Sequence, residues 1–332
     1  MQIRLDSGAK HRTTDGWKVV SMSPSFGKFD VAPVQLLQAH GIEVVLLDHK
    51  RVSPERLVKV LRDCRVVIAG TAPVTEAMML MAPQLRMIAK HGVGVENIDV
   101  AAASRLDVYV TNVPGAGSSA VAELVFGHIL AVTRGLVRVD RQVRLGKWPT
   151  EIGMGLYGST LGIIGTGRIG QAVGAIARGF GMRILAHDPF PSDGFAASGA
   201  NYDSVREVLR NSDVVTLHVP LSSETHHLIS RNELRLMKQS AFLINASRGS
   251  VVDEEALVDS LVAGEIAGAG LDVHDSEPTM NHRLLELENV TVTSHIGAYT
   301  YGSLAQVSAD TSKNILRLTA GIVPDFIVNE LA

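Results

Sequence analysis

Short apolar runs alternate along the chain with stretches in which apolar residues recur every three or four positions. "WKVVSM", "IEVVLL", "RVVIAG", "LRMIAK" and "VYVTNV" are rich in β-branched residues and read as strands. "VAPVQLLQAHG" and "SPERLVKVLRDC", lying between them, have helical spacing. Such alternation builds parallel sheets covered by helices on both faces. Near residue 113 the turn cluster "PGAGSS" interrupts it, and "AVAELVFGHILAVTRGLVRVDRQVRLGKW" follows, read as one long helical stretch. A second strand–helix series opens at "STLGIIGTGRIG" and runs through "MRILAHD", "DVVTLHVP", "SAFLINAS", "AGAGLDV" and "VTVTSH". A last helical stretch, "YGSLAQVSADTSKNILRLTAG", leads toward the terminus. The pattern predicts two doubly wound domains. Residues 18–112 with 299–332 form one, and 113–298 form the other. Residues 1–17 are polar and read as an extension or small surface addition.

The bulk numbers narrow the class. A chain of 332 residues, 46% hydrophobic and 20% charged, is an ordinary globular protein of about two domains. Its formal charge of −3 is scattered, with no basic block for nucleic acid and no polybasic helix for a membrane surface. No apolar run approaches the ~18 residues of a membrane span, and the polar N-terminus lacks the apolar core of a secretory signal. The single cysteine, Cys64, fits a reducing, cytoplasmic setting. No HExxH or CxxC occurs, and the adjacent His226 and His227 are expected to point apart, so no metal is expected. His128, in an apolar helix, reads as core. The methionines of "MMLMAPQLRM" read as core filler.

The sharpest motif is Gly165-x-Gly167-x-x-Gly170. It follows an apolar strand, opens a helix, and precedes a second strand that ends in Asp188. That context, rather than the glycines alone, marks a dinucleotide site. Gly165 permits the turn, Gly167 lets backbone approach a pyrophosphate, and Gly170 lets helix and strand pack closely. Asp188 would accept from a ribose 2′-OH and repel a 2′-phosphate, and no arginine or lysine follows in "DPFPSDG", so NAD is expected over NADP.

Three further segments end strands of the second series, where a doubly wound sheet places its ligands. They are "INASRGSVVDEEAL", "GLDVHDSEP" and "TSHIGAY", and they supply Arg248, Glu277 and His295. Reduction of a 2-keto acid needs that set. A guanidinium grips the carboxylate and polarises the carbonyl. An imidazolium protonates the oxygen as hydride reaches carbon. A carboxylate orients the imidazole and favours its charged form.

With these motifs in order, joined by "HGVGVENID", "NVPGAGSSAVAE", "HVPL" and "SHIGA", the chain resembles the D-isomer-specific 2-hydroxyacid dehydrogenases, and among them the branch that includes phosphoglycerate dehydrogenase. The resemblance covers nearly all of residues 18–330. It implies an α/β fold of two Rossmann-like domains with a cleft between them, and an NAD-dependent oxidoreductase. It implies Arg248 as substrate clamp, His295 as acid/base and Glu277 as its partner. Cofactor contacts carry over to Val93, Arg168, Ile169, Asp188, Val219, Pro220, Ala246, Ser247, Asp272, Gly297 and Ala298. Backbone amides near Val93 and Gly94 are expected to hold the substrate carboxylate. The matching region of the family around residues 119–148 forms a subunit contact, which implies a homodimer. Glu96 stands where the family commonly has Asp, and Gly117 near its usual Asn; both leave substrate identity open. The family's C-terminal regulatory module is not expected.

Lys90 and His91 precede the expected carboxylate amides. They suggest a substrate with a second anion, of the 3-phosphohydroxypyruvate or phosphonopyruvate kind, with hydroxyl contacts from Ser23 or Ser25. Hydroxypyruvate or glyoxylate reduction, formate- or phosphite-type oxidation and a non-enzymatic NADH-sensing protein are the alternatives.

Overall fold

The computed structural model describes residues 16–48 and 52–331. The expected extension therefore lies almost wholly outside the described residues. The chain divides into two compact units, one running to Gly117 and resuming at Thr300, the other spanning Ser118–Tyr299. The first crossing falls five residues beyond the expected 112, so "VPGAG" stays with the first unit.

Among its described residues the first unit holds five strands: β1 Lys18–Ser21, β2 Glu43–Leu46, β3 Val66–Ala69, β4 Met87–Lys90 and β5 Tyr109–Thr111. They form one parallel sheet in the order β2-β1-β3-β4-β5. β3 is buried along its whole length, as a parallel strand covered on both faces must be. β2 ends the sheet and exposes Glu43 and Leu46. The terminal helix, Tyr301–Thr319, returns to this unit and packs on helix Ala32–Ala39 and β4. Its buried face is largely small and polar: Ser303, Ser308, Thr311, Ser312 and Asn314 around Ile315.

The second unit holds β6 Thr160–Ile164, β7 Arg183–His187, β8 Ala200–Tyr202, β9 Val214–Leu217, β10 Phe242–Asn245, β11 Gly268–Leu271 and β12 Val290–Val292. All seven are parallel, in the order β12-β11-β10-β9-β6-β7-β8. β6 and β9, at its centre, are wholly buried. The order reverses between β6 and β9, the switch point at which ligands enter such sheets.

The long helical stretch expected after residue 118 is two helices, Ser118–Thr133 and Leu136–Arg144, bent by 62°. Gly135 takes φ 59° and ψ 29°, a left-handed conformation that a right-handed helix cannot pass through. The two pieces also differ in surroundings. Ser118–Thr133 is a core helix that packs on helix Arg168–Gly179, β10 and β11. Leu136–Arg144 has no buried residue. Among the described residues no single helix is long and apolar enough to cross a membrane.

Candidate active site

Three loops leave the C-terminal ends of β10, β11 and β12, three neighbouring strands of the second unit. They carry Arg248, Glu277 and His295 respectively. Asn245, at the end of β10, folds the first loop back on itself. Its side chain accepts from Ser247 N (3.1 Å) and Ser247 Oγ (2.8 Å) and donates to the Arg248 carbonyl (2.9 Å). Arg248 Nη1 donates to the Ser247 carbonyl at 2.6 Å. The first and second loops touch. A Cβ on Gly249 would stand 2.0–2.5 Å from the His274 carbonyl carbon and oxygen and Asp275 N, so only glycine fits between them.

The third loop is built by Asp272, which is 1% exposed. Its Oδ1 accepts from Thr293 Oγ1 (2.6 Å) and Ile296 N (2.8 Å), and its Oδ2 from Gly297 N (2.8 Å). The Asp272 carbonyl accepts from His295 N at 2.8 Å. One buried carboxylate thus clamps the turn on both sides of His295. The turn holds His295 at φ 56°, a left-handed position that few non-glycine residues adopt. Such strain is kept where the surroundings over-determine it.

In that posture His295 Nδ1 lies 2.9 and 3.1 Å from the Glu277 carboxylate oxygens. A carboxylate only accepts, so Nδ1 carries the proton and Nε2 is the nitrogen presented outward. The pair is about half exposed, 46% for His295 and 43% for Glu277. Partial burial works to raise the Glu277 pKa, but the hydrogen bond and charge of His295, with lesser help from His274, hold it below the ordinary carboxylate value. Glu277 is therefore ionised at neutral pH and accepts from His295 Nδ1–H.

The glycine turn has the form the cofactor requires. Gly165 has φ 93°, and a Cβ there would meet the His218 carbonyl oxygen at 2.6 Å. A Cβ on Gly170 would stand 2.1 Å from the Gly165 carbonyl oxygen, which fixes the close packing of turn and helix. Gly167, the N-cap of helix Arg168–Gly179, faces open space on its Cβ side. Unpaired helix N–H groups with room in front of them suit a pyrophosphate. Asp188 follows the end of β7. Its Oδ2 accepts from Thr166 N (2.6 Å) and Thr166 Oγ1 (3.2 Å), and its Oδ1 from Phe190 N (2.9 Å). Tyr202 donates to Thr166 Oγ1 at 2.8 Å, steadying the same corner. Val219 and Pro220 follow β9; Arg168 is exposed at the helix start; Ile169, Ala246 and Ala298 pack partly against the core beneath.

The remaining expected residues lie in the first unit. Lys90 ends β4, and its Nζ donates to the Gly70 carbonyl (2.7 Å) and Asn97 Oδ1 (2.6 Å). Asn97 in turn donates to Gly70 O and Ala72 O, so the lysine ties two loops of its own unit together. His91 is turned inward. Its Nδ1 lies 3.2 Å from both Ser23 Oγ and Ser25 Oγ, and its Nε2 2.9 Å from Ser308 Oγ. Burial, with the charge of Lys90, pushes its pKa down to about 4. Ser23 and Ser25 are buried, and their hydroxyls are engaged by this imidazole. Val93 is half exposed and gives its carbonyl to Asn112 Nδ2 at 2.8 Å, next to Gly94.

One expectation changes. His226 and His227 do not point apart. Their rings stack with centroids 4.0 Å apart, because His227 has φ 51°, which returns its side chain to its neighbour's side. His128 is buried, as expected, and both ring nitrogens are hydrogen-bonded, to Thr291 Oγ1 (2.8 Å) and Thr293 Oγ1 (2.9 Å). Thr293 gives its one hydroxyl proton to Asp272, so it must accept from His128 Nε2, and the ring braces the clamp. Sequence reasoning missed Thr166, Tyr202, Glu254 and His274. A histidine inside "GLDVHDSEP" and a glutamate opening the helix after "SRGSVVD" were the signals for the last two.

A family model described as D-isomer specific 2-hydroxyacid dehydrogenase, NAD binding domain, matches residues 126–297. Among curated proteins, a glyoxylate reductase of Thermococcus litoralis is 41% identical over 284 residues, 82% of this chain and 86% of that protein. A glyoxylate reductase of Korarchaeum cryptofilum is 39% identical over 287 residues, 84% of this chain and 86% of that protein. Among solved structures, apo D-lactate dehydrogenase from Escherichia coli superposes with a TM-score of 0.83 at 28% identity, covering 94% of this chain and 99% of that one. D-lactate dehydrogenase with NAD+ from Lactobacillus jensenii gives 0.79 at 27% identity, covering 94% and 100%.

Proposed function

The chain belongs to the D-isomer specific 2-hydroxyacid dehydrogenases, NAD-dependent oxidoreductases, and from that premise we propose that it reduces small 2-keto acids of the glyoxylate or hydroxypyruvate type. The observation that carries the reading is the ionised Glu277 hydrogen-bonded to His295 Nδ1, on the loop next to the Arg248 turn. The Arg248 guanidinium grips the substrate carboxylate and polarises the keto oxygen with paired N–H donors. His295 Nε2–H protonates that oxygen, and Glu277 stabilises the imidazolium before the transfer and orients the ring throughout. When bound, the nicotinamide supplies the hydride. In the oxidative direction His295 takes the hydroxyl proton. Asp188 selects the unphosphorylated ribose.

Substrate size is argued from Lys90. Its ammonium already donates to Gly70 and Asn97, which favours a substrate without a second anion, and the relatives named above are glyoxylate reductases. NADH oxidation with a panel of 2-keto acids tests this. Glyoxylate and hydroxypyruvate should be the best substrates. A clear preference for 3-phosphohydroxypyruvate would restore the second-anion reading. NADH formation from formate or phosphite, or binding of NADH with no turnover of any acid, would replace the reaction itself.

We also propose a homodimer. Trp148 is 89% exposed, Ile152 96% and Tyr157 90%, close in sequence to the exposed Leu136, Val137 and Leu145. So much apolar surface in one stretch marks a contact face. A monomer mass by light scattering at micromolar concentration would refute it.

A further inference from the structure

We propose that His274 is held as an imidazolium between Glu254 and Glu277, and that this buried charge sets the pH window in which the Glu277–His295 pair works. His274 is thereby a positioning residue that acts through Glu277, and the inference rests on the reading of His295 as the acid/base.

The geometry dictates the charge. His274 is 7% exposed. Its Nε2 lies 3.2 Å from the Thr293 carbonyl, which can only accept, so Nε2 carries a proton. Its Nδ1 is buried without a hydrogen-bond partner, and Glu254 Oε2 stands 3.8 Å away. A neutral ring with its proton on Nε2 would aim the Nδ1 lone pair at that carboxylate. A second proton on Nδ1 turns the repulsion into attraction. Glu254 is fixed in this place: its side chain is 12% exposed, Asn281 Nδ2 donates to Oε1 at 2.9 Å, and Asp275 N approaches Oε2 at 3.4 Å. The Glu254 carboxylate accordingly holds the His274 pKa above the ordinary imidazole value, against the effect of burial.

The charge acts on the Glu277 carboxylate and helps to hold its pKa down. Glu277 lies three residues on in the same loop, with Oε1 3.5 Å from His274 N. The groups around the His274 ring are few. Glu254 comes from helix Glu254–Val262, Glu277 from its own loop, and His128 from helix Ser118–Thr133. Burial keeps the His128 pKa down, so that ring is neutral at working pH. Acid and base thus alternate from Glu254 through His274 and Glu277 to His295. Removing the His274 charge should make Glu277 easier to protonate and should let His295 hold its proton more tightly. Both limbs of the pH profile then move up.

The experiment has two arms. In the first, imidazole nitrogens of the whole protein are followed by NMR. His274 should remain doubly protonated above the pH at which an ordinary imidazole gives up its second proton, and should lose that proton earlier in Glu254→Gln. Titration of His274 at or below the ordinary value would overturn the inference without any variant having to fold. In the second arm, kcat/KM is measured against pH for His274→Gln, with NADH binding as the check on folding. Both limbs should shift up by about one unit, the lower end expected for losing a charge at this range. Limbs that stay in place while activity drops would reduce His274 to a packing residue and overturn the proposal. Should His295→Ala retain full turnover, the acid/base reading fails instead, and the NMR arm still reports on the His274 charge by itself.

Discussion

His91 and His295 both follow strands of parallel sheets, and their environments give them opposite properties. His91 points into the first unit, surrounded by three serine hydroxyls and the edge of Phe26, with no carboxylate hydrogen-bonded to its ring. Burial leaves it uncharged down to about pH 4. His295 is half exposed, and its Nδ1 faces a carboxylate kept ionised. The first ring joins a strand, a loop and a helix. The second can carry a proton outward. What faces Nδ1, more than the position at a strand end, separates a structural histidine from a chemical one.

The largest effect that would sharpen this contrast is on turnover. His295→Ala should lower kcat roughly a hundred- to ten-thousandfold, the range general acid catalysis supplies, and leave the NADH dissociation constant nearly unchanged. Arg248→Ala should damage KM and kcat together, since it removes a contact made before and during reaction. His91→Asn should leave kcat far closer to wild type. Stopped-flow and steady-state kinetics on the three variants decide the point, and near-normal turnover in His295→Ala would erase the distinction.

The second effect concerns stability. The folded-state pKa of His91 is about 4 against 6.5 for the free side chain. Below pH 6.5 the unfolded chain takes up a proton that the folded chain refuses, so stability falls with acid and the loss is complete below about pH 4. At ~1.4 kcal/mol per pKa unit the loss from this one ring is on the order of 3 kcal/mol. His218, pushed down to about 3 by burial, adds to the same slope. His91→Asn should be less stable at pH 7 but should lose less between pH 6.5 and 4 in urea titrations. An unchanged slope would mean that other groups govern acid unfolding.

The third effect is on cofactor choice. Asp188→Ala removes the acceptor for the ribose hydroxyls and the repulsion of a 2′-phosphate. The ratio of kcat/KM for NADH over NADPH should fall about ten- to a hundredfold, the worth of a charged hydrogen bond. A wild-type preference for NADPH would overturn the reading of that corner.

Much of this was legible from the residues. Short apolar runs between helical stretches marked eleven of the twelve strands among the described residues, and Arg248, Glu277 and His295 stood out because each follows such a run. The rest depended on contacts that no local pattern encodes. β8, "ANY", is too short to carry a period. The break at Gly135 sits in an apolar stretch where glycine is tolerated, and only its left-handed backbone reveals the end of a helix. The left-handed turn at His295 is imposed by Asp272, far away in sequence. Lys90 read as a cation awaiting an anion because its contacts, to Gly70 after β3 and to Asn97 within the loop it opens, are set by the fold of both loops.

Lys90 supplies the smallest and most discriminating test. In Lys90→Ala the Gly70 carbonyl and Asn97 Oδ1 lose a charged donor, so the loops after β3 and β4 should loosen and every substrate should suffer alike. If the ammonium instead met a second anion, its loss would cost roughly ten- to a hundredfold in kcat/KM for 3-phosphohydroxypyruvate, and almost nothing for glyoxylate, which has no such group. The ratio of the two losses therefore separates the roles even if the absolute losses are modest. We expect that ratio to lie within about twofold of one, close to the ~0.4 kcal/mol scatter of uncoupled changes. A tenfold selective loss would return Lys90 to the substrate, and with it the case for a phosphorylated acid.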